Sequence, residues 1–188
     1  MQIQPTSLPG VVIVRPKRFP DSRGFFVETY NRRRFAELGL TPEFVQDNLS
    51  FSAQAGTVRG LHFQRPLMAQ AKLVSVIRGA VLDVAVDLRQ GSPDYGRHVA
   101  VRLDAAEGAM LLIPVGFAHG FCTLEPETVV AYKVDAHYSA ADDDGLHWAD
   151  PALGIDWPVT EREAALSDKD RLLPKLAGVS RCFTCDRP

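Results

Sequence analysis

Apolar and polar residues alternate in short runs along most of this chain, and turn-forming residues separate the runs. Alternation with a period of two puts the apolar side chains on one face of a strand, as a half-buried sheet requires. The candidate strands are Val11–Val14, Phe25–Tyr30, Val45–Phe51, Thr57–Phe63, Lys72–Ile77, Ala80–Leu88, His98–Leu103, Met110–Ile113, His119–Thr123 and Thr128–Ala136. Strands that recur about every ten residues predict an antiparallel sandwich or barrel.

Two short helices interrupt this pattern. Asn31 is a suitable N-cap, Arg32–Leu38 form the predicted helix body, and Gly39 is a favourable C-terminal stop. A second helical stretch is predicted near Thr160–Ala165. We therefore expect an all-β chain with a few short peripheral helices.

The charge balance restricts the class of partner. The 188 residues include 21 Lys and Arg and 23 Asp and Glu, which gives a net charge of −2. This value argues against a nucleic-acid-binding protein that depends on a broad cationic surface. Basic residues gather between Arg15 and Arg34 and acidic residues between Asp142 and Asp170, and we expect most of them, including Arg32–Arg34, on the solvated surface.

The apolar runs, the first residues and the cysteines do not indicate a membrane protein, a secreted protein or a zinc or redox protein. The longest uncharged apolar runs, such as Met110–Gly116, are far shorter than the roughly 20 residues of a membrane span. Met1–Pro5 lacks the basic start of a signal peptide, so we expect no membrane contact and a cytoplasmic location. Cys182 and Cys185 have the spacing of half a zinc site or a redox pair, but the lack of a second pair favours a tail without such a function.

One candidate strand, Ala80–Leu88, carries two carboxylates on one face. The period of two puts Asp83 and Asp87 on the face opposite to Leu82 and Val84. A lumenal carboxylate needs a cationic or hydrogen-bonding partner, because an unpaired buried charge is costly. We favour the lumen for Asp83, where it could hold a side chain of a functional site in position. Asp87 fits either the lumen or the solvent face of an edge strand.

Two histidines and a lysine lie in or beside candidate strands. His62 shares a strand face with Gln64, and Lys72 begins the next strand, where composition alone favours an edge lysine over a catalytic one. The run Pro114–His119, which ends in His119, is similar to the second signature of cupin proteins, but the first signature is incomplete after His62. Too few ligands then remain for a divalent ion. We expect a cupin-like barrel without a metal.

Longer motifs make a resemblance to one family specific. The matching segments are Asp21–Glu28, Gln46–Ser50, Arg59–Gln64, Asp83–Arg89 with Ser92 and Pro93, Gly116–Phe121, Tyr132 with Tyr138, and Leu166–Asp170. Together they resemble the dTDP-4-dehydrorhamnose 3,5-epimerase family of the cupin superfamily over about residues 8–176. The resemblance implies a single domain built as a jelly-roll barrel, a double-stranded β-helix, with residues 177–188 as a tail outside the match.

The resemblance also implies a reaction without a cofactor. The family epimerises C3 and C5 of dTDP-4-dehydro-6-deoxy-D-glucose to give dTDP-4-dehydro-β-L-rhamnose, in dTDP-L-rhamnose biosynthesis. Both carbons flank the C4 ketone, so a base can remove their protons if the enolate oxygen is stabilised. By resemblance His62 is the base, Asp170 orients it, Lys72 is the cation beside O4, and Tyr132 is the acid on the opposite ring face.

Further positions are implied to bind the dTDP-4-ketosugar. Tyr138 matches the residue that stacks on thymine, and Asp143 stands where a longer Glu is often found. The other implied contacts are Arg23, Arg59 and His119 near the diphosphate, Phe26, Glu28, Gln46 and Asn48 around the base and sugar, and Lys169 with Lys72 in the site. The family forms a homodimer with exchanged N-terminal strands, which implies that Arg23, Phe26 and Glu28 enter the neighbour's site.

Three alternatives stay open. Related proteins with nearly the same motifs epimerise only C3 or only C5 of a dTDP-4-ketosugar in antibiotic or other deoxysugar pathways. A non-catalytic cupin that binds a nucleotide sugar is a second alternative, although it has no need for a His–Asp pair opposite a Tyr. A metal-dependent cupin would contain stoichiometric metal and lose activity with a chelator.

Overall fold

The computed structural model describes residues 1–185 and consists mainly of antiparallel strands. The strands are β1 (Gln2–Pro5), β2 (Val12–Arg15), β3 (Arg18–Asp21), β4 (Gly24–Val27), β5 (Gln46–Ser52), β6 (Val58–Gln64), β7 (Lys72–Arg78), β8 (Ala80–Asp87), β9 (Arg89–Gln90), β10 (His98–Asp104), β11 (Met110–Ile113), β12 (Phe117–Thr123), β13 (Thr128–Val134), β14 (Asp143–Gly145) and β15 (Phe183–Thr184). The helices are α1 (Arg32–Glu37), α2 (Asp168–Arg171) and a 3-10 turn, Leu176–Gly178.

Two sheets form the barrel. The six-stranded sheet has the order β1-β2-β11-β7-β13-β5 and the five-stranded sheet the order β10-β8-β12-β6-β14, with antiparallel pairing throughout both. Val74, Leu111 and Val130 of the first sheet belong to the same buried cluster as Ala85 and Phe121 of the second. The apolar faces of both sheets therefore share one core, which confirms the predicted all-β, cupin-type jelly roll.

The alternating pattern locates all ten candidate strands, with ends that differ by a few residues. The largest difference is at Phe25–Tyr30, where β4 ends at Val27 and the hairpin β3–β4 stands as a separate two-stranded sheet. Short strands such as β14 (Asp143–Gly145) were not predicted. Asp143–Gly145 has no apolar alternation, and its extended form is imposed by pairing with β6.

The first helix prediction is confirmed and the second is wrong. The Asn31 side chain caps α1 by accepting a hydrogen bond from the backbone N–H of Arg34, and Gly39 follows with a φ of +74°. Thr160–Ala165 instead forms a turn, because Ala165 joins a parallel bridge to Thr57, the residue just before β6. The backbone of Ala165 is therefore already paired with a strand and cannot continue a helix.

Both carboxylates of β8 are fully buried. Strand β8 lies between β10 and β12, so the interpretation of Asp87 as a solvent-facing residue on an edge strand is wrong. Asp87 accepts hydrogen bonds from the backbone and guanidinium of Arg89 and from the Ser92 hydroxyl. Burial opposes ionisation, but these hydrogen bonds lower the pKa of the Asp87 carboxyl below its ordinary value.

Residues 177–185 pack on the barrel rather than extending from it. Strand β15 pairs in parallel with β9, and Phe183 is buried with its ring centroid 5.6 Å from that of Phe63. Cys182 and Cys185 flank β15 as free, partly exposed thiols. Among residues 1–185, no helix is long and apolar enough to cross a membrane.

Candidate active site

The four predicted catalytic side chains line one cleft of about 470 Å³. His62 lies on β6, Lys72 is the first residue of β7, Tyr132 lies on β13, and Asp170 lies on α2. Three strands and one helical turn thus supply these four side chains. The fold joins residues that are far apart in the sequence, as the predicted roles require.

His62 and Asp170 form a close pair. Nε2 of His62 lies 2.6 Å from Oδ1 of Asp170, and the Asp170 side chain is almost completely buried. The Ser167 side chain caps α2 by accepting a hydrogen bond from the backbone N–H of Asp170. Burial opposes ionisation of Asp170, but hydrogen bonds to His62 and Ser167 lower the pKa of its carboxyl. Asp170 is therefore suited to stay anionic and to stabilise a protonated imidazole.

Lys72 is buried beside this pair. Its ammonium Nζ donates a hydrogen bond to the backbone carbonyl of His62 at 3.2 Å. Burial lowers the pKa of Lys72 to about 8, and the carboxylates of Asp143 and Asp83 partly oppose that shift. A buried cation with few partners is well suited to meet negative charge that develops on a bound molecule.

Tyr132 stands on the six-stranded sheet, in register with Asn48 of β5 and Val74 of β7. The side chain is half-buried, and burial raises the pKa of its phenol above the ordinary value. The phenol therefore keeps its proton at neutral pH and can act as a proton donor in the cleft.

A smaller cavity of about 160 Å³ shares His62, Lys72 and Tyr132 with the main cleft. Gln46 and Asn48, which alternate on β5, line it and are joined by a hydrogen bond of 2.8 Å. Gln46 also accepts a hydrogen bond from the backbone N–H of Tyr138. Three predicted binding residues thus lie together at this end of the cleft.

Two further predicted residues, Asp143 and Lys169, form an ion pair in the same cavity. Asp143 Oδ2 also accepts a hydrogen bond from the Tyr138 hydroxyl at 3.0 Å, and this bond raises the pKa of Tyr138. Although Asp143 has a shorter side chain than Glu, it reaches both partners.

Arg59 and His119 also line the main cleft. The Arg59 guanidinium donates to the backbone carbonyl of Phe51 at 3.0 Å, and His119 is paired in register with His62. Nε2 of His119 lies 2.8 Å from Oδ1 of Asp83, which is completely buried on β8. Burial lowers the pKa of His119, although Asp83 opposes the shift.

Three predicted binding residues do not reach this cleft within the chain. Arg23 lies in the turn of the β3–β4 hairpin and pairs with Asp21, while the Phe26 ring is 67% exposed. Glu28 pairs with Arg34 on α1. The hairpin therefore presents Arg23 and Phe26 to the outside, and Glu28 lies just after it, partly exposed.

Other residues that line the cleft were not predicted. Ser50 continues the alternation of Gln46 and Asn48 on β5, so the period of two contained the signal for it. Phe121 and Leu166 also line the cleft, but apolar side chains give no chemical signal in the sequence. Ser167 was overlooked as the cap of the turn that carries Asp170.

Within residues 1–185, no group of three or more His, Cys, Asp or Glu side chains is arranged to hold a metal ion. His62 and His119 each have one ring nitrogen bound to a separate carboxylate. The expectation of a metal-free barrel stays a prediction.

Comparison with known proteins places this site in a family. A family model described as dTDP-4-dehydrorhamnose 3,5-epimerase matches residues 5–178. A relative of that name from Sinorhizobium fredii is 51% identical over 187 residues, covering 97% of this chain and 93% of the relative. The crystal structure of dTDP-6-deoxy-D-glucose-3,5-epimerase from Legionella pneumophila, in complex with dTDP-4-keto-L-rhamnose, has a TM-score of 0.93 at 41% identity and covers 99% of both chains.

A relative with a narrower name is also similar. The dTDP-4-dehydrorhamnose 3-epimerase from Streptomyces niveus is 40% identical over 174 residues, covering 92% of this chain and 84% of the relative. The family model spans most of the chain, and the cleft contains a buried His–Asp pair, a lysine and a tyrosine. The chain belongs to the dTDP-4-dehydrorhamnose 3,5-epimerase family, a family of isomerases.

Proposed function

We propose that the protein epimerises C3 and C5 of dTDP-4-dehydro-6-deoxy-D-glucose, giving dTDP-4-dehydro-β-L-rhamnose in dTDP-L-rhamnose biosynthesis, without a cofactor. The observation that carries this proposal is the His62–Asp170 pair, which faces one cleft together with Lys72 and Tyr132. We also take the chain as a single domain that works in the cytoplasm.

The chemistry begins with removal of a proton next to the C4 ketone. A neutral His62 that donates its Nε2 hydrogen to Asp170 keeps the lone pair on Nδ1, and that lone pair takes the proton from carbon. The imidazolium that forms is stabilised by the anionic Asp170. The electron pair left on carbon moves into the enolate, whose negative charge lies on O4.

The other two groups complete the inversion. The Lys72 ammonium stabilises the enolate oxygen, because a buried cation acts strongly on charge that develops near it. Tyr132 then returns a proton to the opposite face of the ring. Solvent gives a proton to the Tyr132 phenolate and takes the proton from the His62 imidazolium, so both groups are restored. The cycle repeats at the second carbon, since C3 and C5 are both activated by the same ketone.

The nucleotide is held along the remaining length of the cleft. We assign Arg59 and His119, which line the same cleft as His62, to the diphosphate, because the planar guanidinium of Arg59 can donate to two phosphate oxygens. Gln46 and Asn48 face the base and sugar, Tyr138 stacks on thymine, and Asp143 and Lys169 border the sugar. The Legionella pneumophila relative, solved with dTDP-4-keto-L-rhamnose, supports this class of ligand.

We further propose a homodimer that exchanges the β3–β4 hairpin. On β5 two of the residues that alternate with Gln46 and Asn48 are apolar, and these two, Leu49 and Phe51, are 68% and 53% exposed. An adjacent groove of about 490 Å³ runs between this sheet and the hairpin. An exposed apolar face of this kind marks an interface. Exchange would bring Arg23, Phe26 and Glu28 into the partner's cleft.

A mixing experiment tests the exchange. Arg23→Ala and His62→Asn each inactivate their own homodimer, but in a mixed dimer one cleft receives Arg23 and His62 from different chains. Partial recovery of turnover after co-refolding supports the exchange. If light scattering gives a dimer and the mixture stays inactive, the hairpin does not complete the partner's cleft.

The reaction is tested by turnover in deuterated water. A double epimerase incorporates deuterium at both C3 and C5, and the product is identified by NMR. Label at one carbon only would support the alternative of a mono-epimerase, which the similarity to the Streptomyces niveus 3-epimerase keeps in view. Binding of the ketosugar without exchange at either carbon would indicate a non-catalytic nucleotide-sugar-binding protein.

A further inference from the structure

Asp143 lies at a junction of three elements around the cleft. It begins β14, and the same strand pairs Gly145 with His62 of β6. Its Oδ2 atom accepts a hydrogen bond from the Tyr138 hydroxyl and forms an ion pair with Lys169 Nζ. One carboxylate oxygen thus joins the strand beside the catalytic base to two other segments.

The partner Lys169 is adjacent to Asp170 on α2. This helix is a single turn of four residues, and a turn of that length has no stability of its own. Its position therefore depends on side chains that tie it to the barrel. The ties include the His62–Asp170 bond and the Asp143–Lys169 ion pair, which approach neighbouring residues of the turn.

Asp143 also acts on Lys72 through space. Burial lowers the pKa of Lys72, and the carboxylates of Asp143 on β14 and Asp83 on β8 oppose that shift. The positive charge of Lys169 on α2 lowers the pKa of Lys72 further, and His119 on β12 lies close enough to interact with the same ammonium. Loss of the Asp143 charge should therefore make Lys72 easier to deprotonate.

We propose that Asp143 is a positioning residue, whose carboxylate holds Lys169 and thereby fixes the turn on which Asp170 meets His62. This inference rests on the proposed function and adds a residue that acts through others. The same carboxylate accepts a hydrogen bond from Tyr138, the residue assigned to thymine. One side chain, that of Asp143, therefore holds both the nucleotide end of the site and the catalytic pair. Partly exposed ion pairs contribute little to stability, so removing this charge alters alignment and leaves the fold intact.

The first experiment measures alignment without turnover. Proton NMR detects the hydrogen shared by His62 and Asp170 as a low-field signal, which His62→Asn removes and so assigns. Asp143→Asn keeps the side-chain shape but removes the charge, and it should shift or broaden this signal. Asp143→Glu restores the charge. Asp144→Asn, a change to the neighbouring carboxylate that binds the Gly145 N–H, should leave the signal unchanged.

The second experiment measures the reaction. We expect Asp143→Asn to lower kcat between tenfold and about a hundred-fold, the range that follows from misplacing a catalytic group by about 1 Å. The alkaline limb of its kcat/KM profile moves to lower pH, and Asp143→Glu retains most of kcat. Lys169→Met combined with Asp143→Asn should be no worse than the more damaging single change, because both remove one interaction.

The outcomes separate the two proposals. An inactive wild-type protein refutes the proposed function, while the NMR signal still reports whether Asp143 aligns the pair. An unchanged signal in Asp143→Asn overturns the positioning role. So does an effect confined to KM with the pH profile unmoved, which would make Asp143 a simple substrate contact. Thermal unfolding of each variant verifies that the fold is retained.

Discussion

Asp170 and His62 are 108 residues apart in the chain, yet Oδ1 of one lies 2.6 Å from Nε2 of the other. The imidazole projects from the middle of a sheet, whereas the carboxylate comes from a single helical turn capped by Ser167. The carboxylate selects the tautomer of the imidazole and stabilises it when it becomes protonated. We therefore expect changes at this pair to affect turnover.

Replacing the carboxylate tests this relationship. Asp170→Asn preserves size but removes the charge that stabilises the imidazolium, so we expect kcat to fall about a hundred-fold or more with little change in KM. Asp168→Asn is the matched control, because Asp168 lies exposed on the same turn. Steady-state kinetics of both variants measures kcat and KM and tests this expectation. Equal activity of the two variants would contradict the role of Asp170.

The pKa of Lys72 predicts the alkaline limb of the pH profile. The enolate needs the protonated amine, and that form is lost as the pH rises through a pKa of about 8. We therefore expect kcat/KM to fall about tenfold per pH unit above that value. The alkaline limb of the kcat profile should lie at higher pH than that of kcat/KM, because the bound anionic substrate favours the protonated form of Lys72. A kcat/KM that stays flat to pH 10 would contradict this assignment.

Metal removal should leave the reaction unchanged. His62 and His119 are each bound to a different carboxylate, Asp170 and Asp83, and do not converge on one ion. We expect full turnover after dialysis against EDTA and no stoichiometric metal by elemental analysis. Activity lost with the chelator and restored by one divalent ion would establish a metal-dependent enzyme instead.

The buried Asp87 predicts an acid-sensitive contribution to stability. Because hydrogen bonds from Arg89 and Ser92 lower the pKa of Asp87 in the folded state, this contribution is complete above the unfolded value of 3.8. It is lost as the pH falls through the lower folded value. Asp87→Ala also leaves Arg89 without its partner, so we expect a loss of about 3 kcal/mol at pH 7. Urea unfolding at pH 7 and pH 3 measures both effects.

The matched control for this substitution is Glu127→Ala, which removes an exposed partner of Arg78. Ion pairs on the surface contribute little, so its unfolding midpoint should stay close to that of the wild type. If Asp87→Ala had the same unfolding midpoint as the wild type, the buried Asp87–Arg89 pair would have no net effect on folding.

The strands and the site differ in how far the sequence predicts them. Alternation locates strands such as β6 and β13, because the period of two reflects burial on one face. The same rule does not find β14, whose three polar residues become extended only through pairing with β6. Local pattern also cannot show that Asp143 meets Lys169, since that contact depends on how β14 and α2 pack together. The proposed place of Arg23 in a partner's cleft would depend on a second chain.

The C-terminal segment gives the last prediction. Phe183 is 6% exposed and packs on Phe63, one residue after the proposed base His62, but the two side chains of β6 point to opposite faces. Phe183→Ala should therefore destabilise the fold by about 3 kcal/mol, as expected for a buried Phe, while kcat at 25 °C changes less than twofold. Thr184→Ala, at the exposed neighbouring position, is the control in the same unfolding and kinetic assays. A large fall in kcat with normal stability would mean that β15 acts on the cleft rather than on the core.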